Sequence, residues 1–150
     1  MFGLLLVLHI LASIAIIGPT FMMPLIRRFA RNLDQLLFSL ELTTKLAIIT
    51  KVGGTILIIT GIWLMFITRM GITQMWLNVS ILLSLLTVVM LDGWIEPRMK
   101  KITKLISESQ DKGDEVPAEF GLLMKRIIPI ETTAQLLMIT ILVLMVVKPF

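Results

Sequence analysis

The sequence predicts an all-α integral membrane protein whose four transmembrane helices form an antiparallel bundle with both termini outside. Three observations lead to this fold class. Of the 150 residues, 57% are hydrophobic, above the roughly 45–50% of soluble domains. Four long stretches contain no charged residue, namely 1–26, 52–68, 70–91 and 132–147. The basic residues are divided unevenly between the connecting segments, which orients the helices.

The four uncharged stretches fit helices within a single domain. A hydrocarbon core of about 30 Å needs about 20 helical residues. Helices are favoured because lipid offers no partner for an unpaired backbone group, and the alternating pattern of a membrane barrel is missing. The predicted domain covers residues 1–150, with spans at about 2–26, 47–68, 73–91 and 127–147 and cytoplasmic loops at 27–46 and 92–126.

Positive charge sets the predicted orientation. Twelve of the 14 basic residues lie in or beside the two long loops, whereas the short second loop has only Arg69 and the C-terminus only Lys148. The positive-inside rule therefore places the two long loops in the cytoplasm and both termini outside. Because these cations lie beside spans, the lipid bilayer is the expected partner, and nucleic acid is not.

The first helix is expected to be retained and bent. It has no basic segment before its apolar run and no small-residue cleavage pattern after it, so it does not read as a signal peptide. Pro19, after Gly18, predicts a kink, and Pro24 predicts a second bend near the cytoplasmic face. Beyond it, apolar residues at helical spacing predict a helix at, or continuing from, the inner interface: Phe29, Leu33, Leu36, Leu37 and Leu40.

The second and third helices are predicted to form a hairpin around a turn at 69–72. The third helix is expected to continue past Pro97 as an amphipathic stretch, because apolar residues recur at helical spacing in the otherwise polar loop. Residues 108–119 contain Gly113 and Pro117 and read as a mobile loop before the fourth helix. The apolar residues of the amphipathic stretch are Met99, Ile102, Leu105 and Ile106.

His9 is the only histidine and the first candidate for chemistry. It lies about two turns into the first helix, where a neutral imidazole can ligate haem iron or another metal. The alternative is a histidine that forms a hydrogen bond to a neighbouring helix. With no second histidine and no cysteine in the sequence, a bis-histidine haem site within one chain is excluded.

Lys51 and Glu131 are the charges placed furthest inside spans. Each lies about four residues from the cytoplasmic start of its helix, so the two are predicted to form a buried ion pair. Such a pair could bind a carboxylate or relay a proton. The alternative is a structural ion pair at the interface, with the lysine reaching toward water.

Few other chemical groups remain. The absence of cysteine excludes disulfides and thiolate sites. Met65, Met70 and Met75 cluster near the outer side, where thioethers could offer Cu(I) a soft site, although membrane helices also use methionine as packing. The sequence contains no phosphate-binding loop and no serine–histidine–aspartate set.

Three short motifs point to a known superfamily. The first helix, with His9, Gly18, Pro24 and Arg27-Arg28, resembles that of the bacterial membrane-bound protoporphyrinogen oxidase and copper-resistance D group. Further resemblance lies in Gly61-Ile62-Trp63-Leu64 and in the terminal Val146-Val147-Lys148-Pro149-Phe150. An uncharacterised bacterial family of small predicted integral membrane proteins shares this pattern. It is the closer match, because residues 76–91 lack the lysine and histidine of the oxidase group.

The leading functional hypothesis is a non-enzymatic subunit or accessory of a membrane assembly, either a homo-oligomer or a larger complex. The shortage of catalytic groups, beside faces rich in small residues, favours it. The resemblance implies an alternative, a haem b- or porphyrin-binding protein, or an oxidase-like oxidoreductase, with His9 as axial ligand. The haem propionates would then need cationic partners, and the outer depth of His9 favours Lys148 or Arg69 for this role. A third hypothesis is a component of copper or small-solute transport, which would need an oligomer.

Overall fold

The computed structural model describes residues 2–69, 73–111 and 115–149, and within these ranges it contains helices and no strands. The predicted all-α class is therefore confirmed. The α-helices are α1 (Phe2–Phe29), α2 (Leu33–Thr68), α3 (Met75–Val88), α4 (Glu96–Asp111) and α5 (Ala118–Val147), and a π-helical segment (Val89–Ile95) joins α3 to α4. Four continuous helical stretches are long and apolar enough to cross a membrane, since α3, the π-helical segment and α4 form one of them.

We call the end that carries both termini the outer end and the opposite end the inner end, following the predicted orientation. The chain runs from outer to inner in α1 and in the α3–α4 stretch, and back in α2 and α5. The turn predicted at 69–72 falls largely on residues 70–72, which lie outside the described residues. Before it, α2 ends at Thr68, and Arg69, which has a left-handed backbone (φ 50°), is its C-cap.

Helix α1 continues without interruption through Pro19 and Pro24. A side chain of α5 supplies a hydrogen bond that one of these prolines removes. Pro24 has no N–H, so the carbonyl of Thr20 loses its usual helical donor. The side chain of Gln135 on α5 replaces it, with its Nε2 donating to Thr20 O at 3.0 Å. An orphaned backbone group that would be costly in lipid thus becomes a contact between two helices.

Helix α2 starts well before the predicted span. Asn32 caps it, its Oδ1 accepting a hydrogen bond of 2.9 Å from Gln35 N. Most of the segment predicted as a loop at 27–46 is therefore helical. The reason is the apolar face recognised in the sequence, which buries Leu36 and Leu40 against other helices.

The third span also extends inward, as predicted. Helix α4 contains Pro97 and continues to Asp111, and the π-helical segment precedes it, with Glu96 N–H donating to Leu91 O. Helix α4 includes residues 108–111 and α5 begins at Ala118, so both ends of the predicted loop 108–119 are helical. Residues 112–114 of that loop, including Gly113, lie outside the described residues.

Three pairs of helices make the main packing contacts. Helices α1 and α2 lie side by side along their length, and α3 packs against α5. At the inner end α2 packs against α4, and there a cluster of apolar side chains is buried. Its members are Leu36, Leu40, Ile95, Met99, Ile102, Ile106 and Ile127. The core therefore lies toward the inner end of the bundle.

Candidate functional site

His9 lies between α1 and α2 in the outer half of the bundle. The ring is partly buried, and its Nδ1 lies 2.9 Å from Thr60 Oγ1 on α2. Gly61 makes room for the ring, because a Cβ atom at that position would lie 3.3 Å from His9 Cε1. Of the two interpretations of His9 in the sequence, the hydrogen bond to a neighbouring helix is present in the structure.

The hydrogen bonds of Thr60 indicate which histidine nitrogen carries the proton. The hydroxyl lies 2.7 Å from Ile56 O and 3.2 Å from Leu57 O, and both carbonyls can only accept. When the hydroxyl donates its single hydrogen to one of them, it accepts from His9, which puts the ring hydrogen on Nδ1 and leaves the lone pair on Nε2. Metal-bound histidines have the same arrangement, with one ring nitrogen donating to a partner and the other free to ligate.

Close packing of α1 on α2 holds this contact in place. A Cβ atom at Gly53 would lie 3.1 Å from Ala15 Cβ and 3.2 Å from Ala12 O. Only glycine allows the two backbones to approach this closely, as is usual for helix pairs in membranes. The register of α2 against α1 is therefore fixed about two turns from His9.

Two groups of ion pairs join different helices at the inner end of the described bundle, and neither is the predicted pair of Lys51 with Glu131. Arg27 Nη2 donates to Glu131 Oε1, which joins α1 to α5. Lys51 Nζ instead lies 2.7 Å from Glu96 Oε2, and Lys100 Nζ lies 2.7 Å from the other oxygen of the same carboxylate. The prediction paired the two charges because they lie at similar depth in the membrane. In the structure, Lys51 lies on the face of α2 that contacts α4, and Glu131 lies on the face of α5 that contacts α1.

The Arg27–Glu131 pair is the more buried of the two groups. The side chains are 4% and 12% exposed, against 48% for Lys51. The sequence placed Arg27 in the predicted loop 27–46, because the first predicted span ended at residue 26. Its spacing from Thr20 and Met23 places it on the face of α1 that contacts α5, and this periodicity was the signal available to find it.

The remaining predicted site residues lie apart from one another. Lys148 follows α5 in a left-handed conformation (φ 47°), and its Nζ lies 5.6 Å from the ring centroid of Trp76. No hydrogen bond or ion pair joins Lys148 to His9 in the described ranges. Met75 is exposed and Met65 is partly buried, whereas Met70 lies outside the described residues.

Metal-binding capacity is limited within the described part of the chain. It contains no group of three or more histidine, cysteine, aspartate or glutamate side chains able to hold a metal ion. A metal at His9 would therefore need its other ligands from a cofactor, from methionine or from another molecule.

Comparison with known protein families gives one full-length match. The family described as "Predicted integral membrane protein (DUF2269)" matches residues 3–149. Comparison with curated proteins gives no match, and comparison with solved structures gives none either.

Proposed function

The chain belongs to the DUF2269 family of predicted integral membrane proteins, and from this premise we propose that it is a non-enzymatic subunit or accessory of a larger assembly in the bacterial inner membrane. Membership and the four apolar helices make it a multi-pass membrane protein. The specific role rests on the surface that α2 presents to the bilayer.

Gly54 is the observation that carries this proposal. Nothing lies within 4 Å of a Cβ atom at Gly54, in contrast to the tightly packed Gly53 beside it. One turn and two turns further along the same face, Ile58 and Ile62 are exposed. Small residues let a second helix approach closely within a membrane. A helix of a second copy or of a partner subunit would pack on Gly54, just as α1 packs on Gly53 within the chain.

The charged residues support a structural role. Arg27 pairs with Glu131, and Lys51 and Lys100 share the carboxylate of Glu96. General acid–base or nucleophilic chemistry needs groups that converge on a common space beside a substrate. The Arg27–Glu131 and Lys51–Glu96 pairs instead join different helices of the same chain, which supports a structural role for them.

The test compares Gly54→Leu with Gly53→Leu, using native mass spectrometry and blue-native electrophoresis after extraction in mild detergent. We expect the wild type to migrate as a complex and Gly54→Leu to migrate as a folded monomer. Gly53→Leu should lose the folded state, because its side chain meets Ala15 and Ala12. A wild type that is strictly monomeric in several mild detergents, or a Gly54→Leu complex of unchanged size, would contradict the proposal.

The second candidate function is haem or porphyrin binding, and the hydrogen bond from His9 to Thr60 favours it. This bond orients the imidazole and leaves Nε2 as a free donor of its lone pair, as an axial ligand requires. Haem b would supply a redox-active iron, and Lys148 at the outer end would contact a propionate. The relation to the protoporphyrinogen oxidase and copper-resistance D superfamily, suggested by the motifs around His9, belongs to this proposal.

An absorbance spectrum of protein purified from haem-replete cells tests the second candidate. A Soret band that disappears in His9→Ala and remains in Ser13→Ala would support it. Ser13 is the matched control, because it lies one turn away and its hydroxyl bonds only to His9 O, at 2.9 Å. A featureless visible spectrum of the wild type would exclude haem binding under these conditions and leave the assembly proposal unaffected.

A further inference from the structure

Arg27 has more hydrogen-bond donors than its surroundings satisfy. Its guanidinium carries five N–H hydrogens, and within the described residues only Nη2 has a partner, Glu131 Oε1. Nε and Nη1 are buried and have no hydrogen-bond partner in the described part of the chain. Unpaired buried donors of this kind are rare, and each calls for an acceptor.

The missing acceptor must satisfy donors on more than one nitrogen. A planar guanidinium matches an oxyanion with several oxygens, and phosphate provides such oxygens. Within the described residues, Glu131 supplies the carboxylate that contacts the guanidinium, through one oxygen. Because Nε and Nη1 are buried, a phosphate group reaches them only when the guanidinium or the side chains that cover it shift, and it then completes the hydrogen bonds that the carboxylate leaves open.

The charge around the pair favours an anion. Arg31, Lys125 and Arg126 lie within two helical turns of the pair along the chain and have exposed side chains, and they outnumber the two acidic residues in the same range, Asp34 and Glu131. Phosphate headgroups of lipids occupy the inner membrane surface, where the positive-inside rule places these residues. Because the Glu131 side chain retains 12% exposure, the pair is not sealed from that surface.

We propose that Arg27 binds a phosphate group at the inner end of the α1–α5 contact, either the headgroup phosphate of an anionic phospholipid or free phosphate. The site is independent of His9 and does not rest on the assembly proposal. Glu131 holds the guanidinium in place, but its negative charge repels an anionic ligand beside it, so the two residues have opposite effects on binding.

The experiment measures the thermal unfolding midpoint of the purified full chain in a neutral detergent. Inorganic phosphate is compared with chloride at equal ionic strength, and phosphatidylglycerol with phosphatidylcholine at equal concentration. Ligands that bind only the folded state raise the midpoint. The variants are Arg27→Gln, Glu131→Gln and the exposed control Arg28→Gln, which removes one positive charge just as Arg27→Gln does.

We expect phosphate or phosphatidylglycerol to raise the midpoint of the wild type and of Arg28→Gln, but not of Arg27→Gln. Glu131→Gln, which keeps an acceptor oxygen and loses the competing charge, should reach half of the effect at a severalfold lower ligand concentration. An effect of both ligands identifies free phosphate as sufficient, and an effect of phosphatidylglycerol alone identifies the lipid. No effect of either ligand, or an equal rise in Arg27→Gln, would overturn the proposal.

Arg27→Lys provides a second route if Arg27→Gln does not fold. Lysine keeps the positive charge but lacks the planar guanidinium that can bind two phosphate oxygens at once. We therefore expect the amount of phosphatidylglycerol that stays bound in native mass spectra to fall about tenfold relative to the wild type. Retention equal to that of the wild type would contradict a guanidinium-specific site, because a general attraction between charges does not distinguish the two cations.

Discussion

The inner and outer ends of this bundle are held together by different forces. At the inner end, α2, α4 and α5 bury complete aliphatic side chains, and Ile102 and Ile106 have no exposed surface. In the membrane-spanning half, large side chains such as Leu82 and Phe66 remain 66% and 79% exposed. There the helices contact through a few specific features, such as Gly53 against α1 and His9 against Thr60.

The difference follows from the two solvents. Apolar side chains gain by leaving water, so helices that extend beyond the bilayer associate through a conventional core. Lipid chains are as apolar as leucine, so helices within the bilayer gain little from burying leucine and associate through close packing and hydrogen bonds. The length of α2 and α4 thus gives the protein a core that its membrane spans alone would not provide.

Loss of the buried charge pair should have the largest effect on stability. Glu131→Leu leaves Arg27 buried without a counter-charge, and we expect a loss of about 3–5 kcal/mol of unfolding free energy. The effect can be measured by denaturant titration in mixed micelles. The control Glu119→Leu removes an exposed carboxylate of the same helix and should change stability by less than about 0.5 kcal/mol.

Truncation of the inner core should come next. Ile102→Ala removes a fully buried side chain, with an expected cost of about 2–4 kcal/mol. The matched change in the membrane-spanning half, Leu82→Ala, removes a side chain that is 66% exposed and should have a small effect. Equal losses from the two variants, in the same micelle titration, would mean that the two ends do not differ as described.

The bond between α5 and the Thr20 carbonyl should contribute less. Gln135→Leu leaves this carbonyl without a donor, because Pro24 cannot supply one, and we expect a cost of about 1 kcal/mol. The double variant Gln135→Leu with Pro24→Ala restores the helical donor. Recovery of stability in the double variant, measured by thermal unfolding, would show that the carbonyl is the cause.

The hydrogen bond of His9 should have the smallest effect. Thr60→Val removes the acceptor of Nδ1–H, and interhelical hydrogen bonds in membranes average about 0.6 kcal/mol. Thr55→Val on the same helix is the control, because the Thr55 hydroxyl bonds only to Lys51 O, at 3.0 Å, within α2. If Thr60→Val lowered the unfolding free energy by more than about 2 kcal/mol, the expectation that this bond contributes least would be wrong.

Much of the fold was readable from the sequence because the bilayer restricts the choice of structure. Uncharged stretches of sufficient length predicted the four helices, and the apolar spacing from Met99 to Ile106 predicted the continuation past Pro97. The spacing from Phe29 to Leu40 carried the same information for α2, although the segment was still placed in a loop. The helix ends were predicted less accurately, because a charged residue marks the limit of an apolar span although the helix itself can continue beyond it.

The charge pairs were not readable to the same degree. Hydropathy gives the depth of a residue, and it placed Lys51 and Glu131 at similar heights. Pairing also depends on the rotation of each helix about its axis and on which helices are neighbours, and a single sequence does not contain this information directly. Arg27 and Glu96 are the partners that the packing selects instead.

The pairing of Arg27 with Glu131 also has a consequence for biosynthesis. Arg27 emerges from the ribosome about a hundred residues before its partner, while α1 and α2 can already pack on each other as neighbours in sequence. Until α5 is inserted, Arg27 has no internal counter-charge and can extend toward the lipid headgroups. In a nascent or prematurely terminated chain, the Arg27 side chain would therefore be exposed and unpaired at the inner end of the helices. Once α5 is in place, Arg27 is buried against Glu131. The solvent accessibility of Arg27 therefore distinguishes finished from unfinished chains.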